Sequence, residues 1–417
     1  MNRDRISKAN ENAVKRILEA DPIFVDVKPA IEVVPGMTDT TILHAGPPIE
    51  FERMCGPMKG GVAGALMLEG LAKTEEEAYE LAMSGDITFD SCHNHDAVAP
   101  MTGIISASMP VMIVKNMKHG NYAYSTINEG RDKVLRFGAL SDDVIDRLRW
   151  FNEVLGPELG KVIRNIGGFS VLPIMAEALQ MGDDLHNRFK ACSALFASRF
   201  LPALIDTIED KDTLKKVSDF IGNNDYFYLN ITMAGLKACM DAAHGIEYST
   251  IVTTMTRNGT EFGIRVSGLP GEWFTVKASV PKTLYFPGYG LDDTNPDMGD
   301  SAIIETYGLG GFAAAASPII VQSVGGTIQE ANERTFEMYE ITTKENPLFS
   351  IPAIDFKNLP VGIDLLKVLE TNTVPVIHTG VAHKNAGVGQ IGAGIVRPDI
   401  NVFKDALRSY FEKYGRD

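Results

Sequence analysis

The segment Ser91–Gly103, SCHNHDAVAPMTG, packs Cys92, His93, His95 and Asp96 into five consecutive positions. Titratable groups collect in this way where they meet a ligand. The apolar run Ile87-Thr88-Phe89 precedes the segment and reads as a strand. On an extended segment residues two apart face the same side, so both imidazoles could point at one ligand. Two chemistries fit. His93 and His95 could hold a divalent metal, with Asp96 as a third ligand or an orienting partner. Alternatively, either histidine could serve as general acid or base on a substrate nitrogen or phosphate oxygen. The bland alternative is a polar turn whose histidines bond to backbone.

Other stretches could supply anion binding. Cys55–Gly64 reads as a Gly-rich turn entering a helix, with Lys59 beside Gly60 and Gly61. Backbone N–H groups, a helix N-terminus and one lysine make a serviceable anion site. The stretch lacks the GxxxxGK[ST] spacing of a nucleotide-binding loop. Residues 378–395, HTGVAHKNAGVGQIGAGI, place His378, His383, Lys384 and Asn385 ahead of Gly387, Gly389, Gln390, Gly392 and Gly394. This stretch contains GxGxxG, but too little chain follows for a complete dinucleotide-binding unit. A backbone-lined loop that an anion can approach closely is the better reading. Arg257 and Asn258 stand at the turn of a hairpin, with Arg265 on its second strand. An arginine there could grip carboxylate or phosphate with two parallel bonds, or stand on a solvated sheet face. Asp293-x-Asn295-x-Asp297 begins like a calcium loop, yet Met298 and Ile304 occupy the positions that need glycine and an acid. Asp300 and Glu305 are candidates to face a site. Cys55 and Cys92 read as buried, inert thiols.

The elements that must position these groups are mixed. A helix is expected over 7–19, edge strands or extended connectors over 23–34, and a helix from the Gly-rich turn to about Leu71. Thr74-Glu-Glu-Glu77 and Thr327-Ile-Gln-Glu330 are capping boxes that open further helices. Residues 130–222 read as helical, with no strand, on periodic positions such as Val144, Leu148, Phe189 and Phe196. Asn258-Gly259, between two β-branched runs, predicts a hairpin. Asp300–Ala316 reads as a helix, 374–378 as a strand, 387–394 as a loop, and Asn401 onward as the closing helix. Strands and helices alternate without a βαβ rhythm, which favours a multidomain α+β fold. The expected division is 1–129 carrying the Cys-His-x-His block, a helical subdomain 130–222, and an α+β domain 223–417.

Length, 417 residues, leaves ample room for a buried core. The net charge of −15 argues against nucleic acid or anionic membrane as partner. It still permits a basic pocket for a small anionic substrate. The four cysteines show no CxxC spacing, which fits a reducing cytoplasm. The N-terminus does not have the pattern of a secretory signal. The uncharged run Thr306–Gln329 is broken by glycines and Pro318, so a buried helix with a loop is expected rather than a membrane span.

The blocks MCGPMKGG (54–61), CHNHDAVAPMTG (92–103), RNGTEFGIRVSG (257–268), GDSAIIETYGLGGFAAA (299–315) and HKNAGVGQIGAGI (383–395) resemble the YlbE/YahG-like family. The resemblance spans nearly the whole chain. One branch of that family, the AllG type, is described as a subunit of oxamate carbamoyltransferase. The resemblance implies a role in allantoin and purine-derived ureide breakdown, beside an FdrA-like subunit and a third protein, and is compatible with a homodimer. The implied reaction is phosphorolysis of oxalurate to oxamate and carbamoyl phosphate, with no redox or nucleotide cofactor. In that chemistry His93, His95 and Asp96 would handle protons. Lys59, Gly60, Gly61, Arg257, Asn258, His383, Lys384, Asn385, Gly387, Gly389 and Gln390 would bind substrate and phosphate. Two other classes stay open: a metal-dependent amidohydrolase using His93 and His95, and a non-catalytic scaffold or effector-binding subunit.

Overall fold

Prolines at both ends bound the first strand, Pro22–Pro29, which pairs antiparallel with Pro110–Asn116; that strand in turn pairs with Tyr122–Thr126. These coordinates, a computed structural model, describe residues 3–130, 133–323 and 325–415. The helix Phe227–Asp241 is buried from Phe227 to Met240 and lies across this sheet. Such a helix belongs inside a protein. The two-residue strand Phe169–Ser170 adds to the other edge of the sheet. It is a strand within the stretch expected to be purely helical. Strand propensity is weak there, and pairing to Ile23 and Phe24 decides the outcome.

A short parallel pair, Thr41–His44 with Thr88–Ser91, delivers the chain to the His block. The expected hairpin forms between Val252–Asn258 and Glu261–Val266, and Gly259 turns it with φ 79°. A third sheet pairs Ile377–Ala382 with Gln390–Val396, and the latter with Lys282–Tyr285. The expected Gly-rich loop 387–394 is therefore a strand from Gln390 onward. Its glycines serve close packing: a Cβ at Gly394 would stand 2.5 Å from the Lys282 carbonyl oxygen. The fold is α+β. The expected helix Asp300–Ala316 forms in pieces, a 3-10 turn, the single helical stretch Ile303–Tyr307 and a 3-10 run Gly310–Ala316. Gly308 breaks it in the left-handed region, φ 114°. Among the described residues, no helix is long and apolar enough to cross a membrane.

The main apolar core runs from Ala13 to Ala382 and includes Val62, Phe196 and Ile304. A second core lies under the hairpin and the closing helix Asn401–Tyr414, with Ile264, Phe403 and Tyr410. The helix Gly56–Leu68 carries Gly56, Gly60 and Gly64 on one face. A Cβ at Gly56 would meet the Lys384 carbonyl oxygen at 2.4 Å, and one at Gly60 the Gly138 carbonyl oxygen at 2.4 Å. These glycines let backbone approach backbone, so Lys59-Gly60-Gly61 lies inside a helix rather than in an open turn. The segment 135–139, held on that helix, accepts the Gly387 N–H on the Phe137 carbonyl. Phe137 and Arg136 are thereby set beside Gly389 and Gln390.

Gly60→Ala should therefore lower stability by about 1–3 kcal/mol, the usual range for overpacking. Gly222→Ala, on a helix with nothing within 4 Å of the added Cβ, should raise it by roughly 0.4–1 kcal/mol. Denaturant midpoints check the pair; equal shifts would contradict the packing argument.

Candidate active site

The residues 92–95 form a 3-10 turn, not an extended segment. With three residues per turn, positions two apart diverge. His93 is buried, edge-on to Trp273, with Nε2 3.4 Å from the Asp300 carboxylate. Burial lowers its pKa, and Asp300 opposes that shift. His95 points the other way, with Nδ1 2.5 Å from the Pro35 carbonyl oxygen and Nε2 3.0 Å from Asp90. The bond to Asp90 raises its pKa. Asp96 is exposed, in the left-handed region at φ 55°. The three side chains expected to converge do not. Among the described residues, no three His, Cys, Asp or Glu side chains come together as a metal cage. The His93/His95 pair thus lacks the donor set for a divalent cation. Burial pushes the Cys55 and Cys92 thiols up.

The expected anion ligands are also dispersed. Lys59 Nζ donates to the Glu52 carbonyl, and Gly60 and Gly61 face packed neighbours. Arg257 is fully buried and committed: Nε and Nη2 bond both oxygens of Asp297, and the remaining N–H groups go to Gly299 O, Ser301 Oγ and Thr379 Oγ1. Neither of its sequence readings, substrate grip or surface cation, describes that environment. Asn258 closes its own turn, accepting from the N–H groups of Thr260 and Glu261. His383 accepts from the Asn385 N–H, and Lys384 and Asn385 are exposed at the tip of the hairpin between the last two strands. Gly387 packs against Ala139. Gly389 and Gln390 alone of this set line the large cleft described next. Arg265, expected to point away from the core, bonds His244 and lies over Trp273.

The structure assembles a different constellation from Asp183-Asp-Leu-His-Asn-Arg188. Asp184 Oδ1 accepts the N–H groups of His186, Asn187 and Arg188, at 3.1, 3.0 and 2.8 Å, which winds a tight turn through Leu185 at φ 63°. Its other oxygen lies 2.6 Å from His378 Nδ1. Asp183 accepts the Cys192 N–H in the first turn of the helix Lys190–Thr207. The turn forms one wall of a cleft of ≈ 770 Å³. Lys133, Arg136, Arg188 and Lys190 line it, and Asp225 is the acid in its lining. On a chain of net charge −15 this is a local basic pocket, and it favours a small anion.

Beside the cleft lies a smaller pocket of ≈ 30 Å³ that shares Arg136, Asn187 and Gln390 with it and adds His186, Ser301 and Met101. Glu305 Oε1 takes three N–H donors: His186 Nδ1 at 2.6 Å, Gly311 N at 3.0 Å and His378 N at 3.1 Å. That pins the ring proton on Nδ1 and leaves Nε2 to accept from Ser301 Oγ–H at 2.9 Å. A buried nucleophile-type hydroxyl, an imidazole and an orienting carboxylate are thus bonded in series. Asn187 Nδ2 is buried without a hydrogen-bond partner. His186, Asn187, Arg188 and Ser301 were not among the sequence candidates. The signal was present, since six positions at 183–188 hold two acids, a histidine and an arginine, nearly as dense as the 92–96 block.

A basic cleft beside a buried Ser–His–Glu series is an arrangement able to bind small anions and to move protons. Comparison with known proteins narrows the class. Residues 87–301 match the family model described as "Oxamate carbamoyltransferase subunit AllG". The chain is 50% identical over 412 residues to the uncharacterized protein YahG of Escherichia coli K12, covering 99% of this chain and 87% of that protein. It is 44% identical over 413 residues to the oxamate carbamoyltransferase subunit AllG of the same organism, covering 98% and 99%. A crystal structure of a conserved protein of unknown function from Enterococcus faecalis V583 superposes with TM-score 0.95 at 51% identity, over 97% of both chains. The chain belongs to the AllG family.

Beside this site, burial pushes the Asp183 carboxyl up to about 7, with Asp184 adding to the rise and the Cys192 N–H and Arg188 opposing it. The folded pKa thus stands above the ordinary 3.8. The stability tied to that proton is fully present below 3.8 and is lost as pH rises through about 7. Asp183→Asn should therefore narrow the difference in melting temperature between pH 5 and pH 8, by calorimetry. An unchanged difference would contradict the assignment.

Proposed function

We propose that this chain is a subunit of a carbamoyltransferase that interconverts oxalurate plus phosphate with oxamate plus carbamoyl phosphate, in ureide breakdown derived from allantoin. The observation that carries the reading is the four-cation cleft beside the small pocket that His186 and Ser301 line. Oxalurate and phosphate are both anions, and Arg188 and Lys190 stand where the substrate carboxylate and phosphate would share one positive wall. Cleavage breaks the bond between the ureide carbonyl carbon and the nitrogen that leaves with oxamate. That nitrogen needs a proton, and the attacking phosphate must lose one. His186 Nε2, at the floor, is the group for both transfers. The unpartnered Asn187 Nδ2 is the donor for the oxygen that gains charge, a role worth on the order of 3 kcal/mol. An FdrA-like subunit and a third protein complete the assembly in this reading, in the cytoplasm.

The test is the purified assembly, assayed for phosphate-dependent cleavage of oxalurate. Oxamate and carbamoyl phosphate should appear in equal amounts. Lys190→Ala and Arg188→Ala should each raise KM for an anionic substrate by roughly tenfold or more, the scale of a lost charge-assisted bond. His95→Gln, outside the cleft, should leave kcat unchanged. Cleavage that ignores phosphate, or cleft variants indistinguishable from wild type, would overturn the reading.

A further inference from the structure

Ser301 has the surroundings of a nucleophile rather than of a polar residue filling space. Its Oγ–H donates to His186 Nε2 at 2.9 Å, and His186 is held at its other nitrogen by Glu305 at 2.6 Å. These are the two bonds that turn a hydroxyl into an attacking group, whatever fold carries them. The guanidinium of Arg257 adds a donor 3.4 Å from Oγ, which favours the oxygen as it gains negative charge. The residue stands on a 3-10 turn, Asp300–Ala302, that cannot drift. Asp300 next to it accepts from Gly46 N, Ala99 N and Thr256 Oγ1. Ser301 still reaches open space, since it lines the inner pocket of ≈ 30 Å³ with Asn187 and Gln390. That volume exceeds the roughly 10–15 Å³ one water needs, and the pocket shares Arg136, Asn187 and Gln390 with the basic cleft.

We propose that Ser301 carries the carbamoyl group as a covalent carbamate between the two half-reactions, an inference that rests on the carbamoyltransferase reading. In the first half-reaction Ser301 Oγ bonds to the ureide carbonyl carbon of oxalurate, and its proton passes to His186 Nε2. The bond from that carbon to the substrate nitrogen breaks, and His186 returns the proton to the nitrogen, which leaves as the amide of oxamate. In the second, an oxygen of hydrogen phosphate bonds to the same carbon and gives its proton to His186. The bond to Oγ breaks, Oγ recovers the proton, and carbamoyl phosphate leaves. The carbamate nitrogen donates electron density to its carbonyl, so the intermediate resists water while it waits for phosphate.

The experiment uses the whole wild-type assembly without phosphate. Labelled oxamate should exchange into oxalurate, and the peptide containing Ser301 should gain one carbamoyl group. Ser301→Ala should abolish exchange and lower phosphorolysis by about 10³-fold or more, the scale for loss of a triad nucleophile, while still binding oxamate by calorimetry. If that variant fails to fold, the wild-type exchange and labelling decide alone. Turnover by the wild type without exchange, or a carbamoyl group on another residue or subunit, overturns the inference and leaves the proposed function standing. A wild-type assembly that does not cleave oxalurate overturns both.

Discussion

A fully buried guanidinium, that of Arg257, is the constraint on which the site depends. Removing a charge from water costs several kcal/mol unless every N–H finds a partner. Arg257 finds them on two other parts of the chain. It starts from the hairpin strand, reaches Asp297, Gly299 and Ser301 on the segment that leads into the helix Ile303–Tyr307, and ends on Thr379 of the strand Ile377–Ala382. Truncating it would leave Asp297 buried and unpaired, at about 3–5 kcal/mol. Because these bonds are obligatory, the position of Ser301 relative to His378 and Glu305 is fixed before any substrate arrives.

Carboxylate–imidazole pairing extends the same logic. Asp184 meets His378, Glu305 meets His186, and Asp300 faces His93, all with buried side chains. Burial raises the pKa of Asp184 and Asp300, but the paired histidines and the N–H or hydroxyl donors overcome it and hold both below the usual carboxylate range. In a medium of low polarizability each such bond is strong, and an unmade one is costly. The groups without partners then stand out. Asn187 Nδ2 and His378 Nε2 are buried donors or acceptors that the protein itself does not satisfy.

How much of this was legible in the sequence varied with the kind of signal. Local chemistry read well. Thr74 and Thr327 cap their helices through the N–H groups of Glu77 and Glu330, and Asn258-Gly259 turns the hairpin. Glycines read poorly, because the same residue opens a loop or closes a gap. At Gly56, Gly60 and Gly394 the reason was backbone packing from distant segments, which no local pattern reports. The His block drew attention through its density. Its geometry depends on a 3-10 turn and on Asp300, some two hundred residues away. The segment nevertheless ends beside the site, since Met101 lines the inner pocket with Ser301. The stretch 183–188 was nearly as dense, but the apolar Leu185 and Phe189 gave it a helical period that hid Asp184, His186 and Arg188.

The proposed function places the anions in the basic cleft, not at the hairpin tip or at the N-terminus of the helix Gly56–Leu68. A crystal structure of the assembly soaked with oxamate and phosphate tests it most directly. The account predicts density for both ions between Arg188 and Lys190, with the oxamate amide nitrogen toward Ser301 and His186. Density at Lys59 or along His383–Asn385, with the cleft empty, would contradict it.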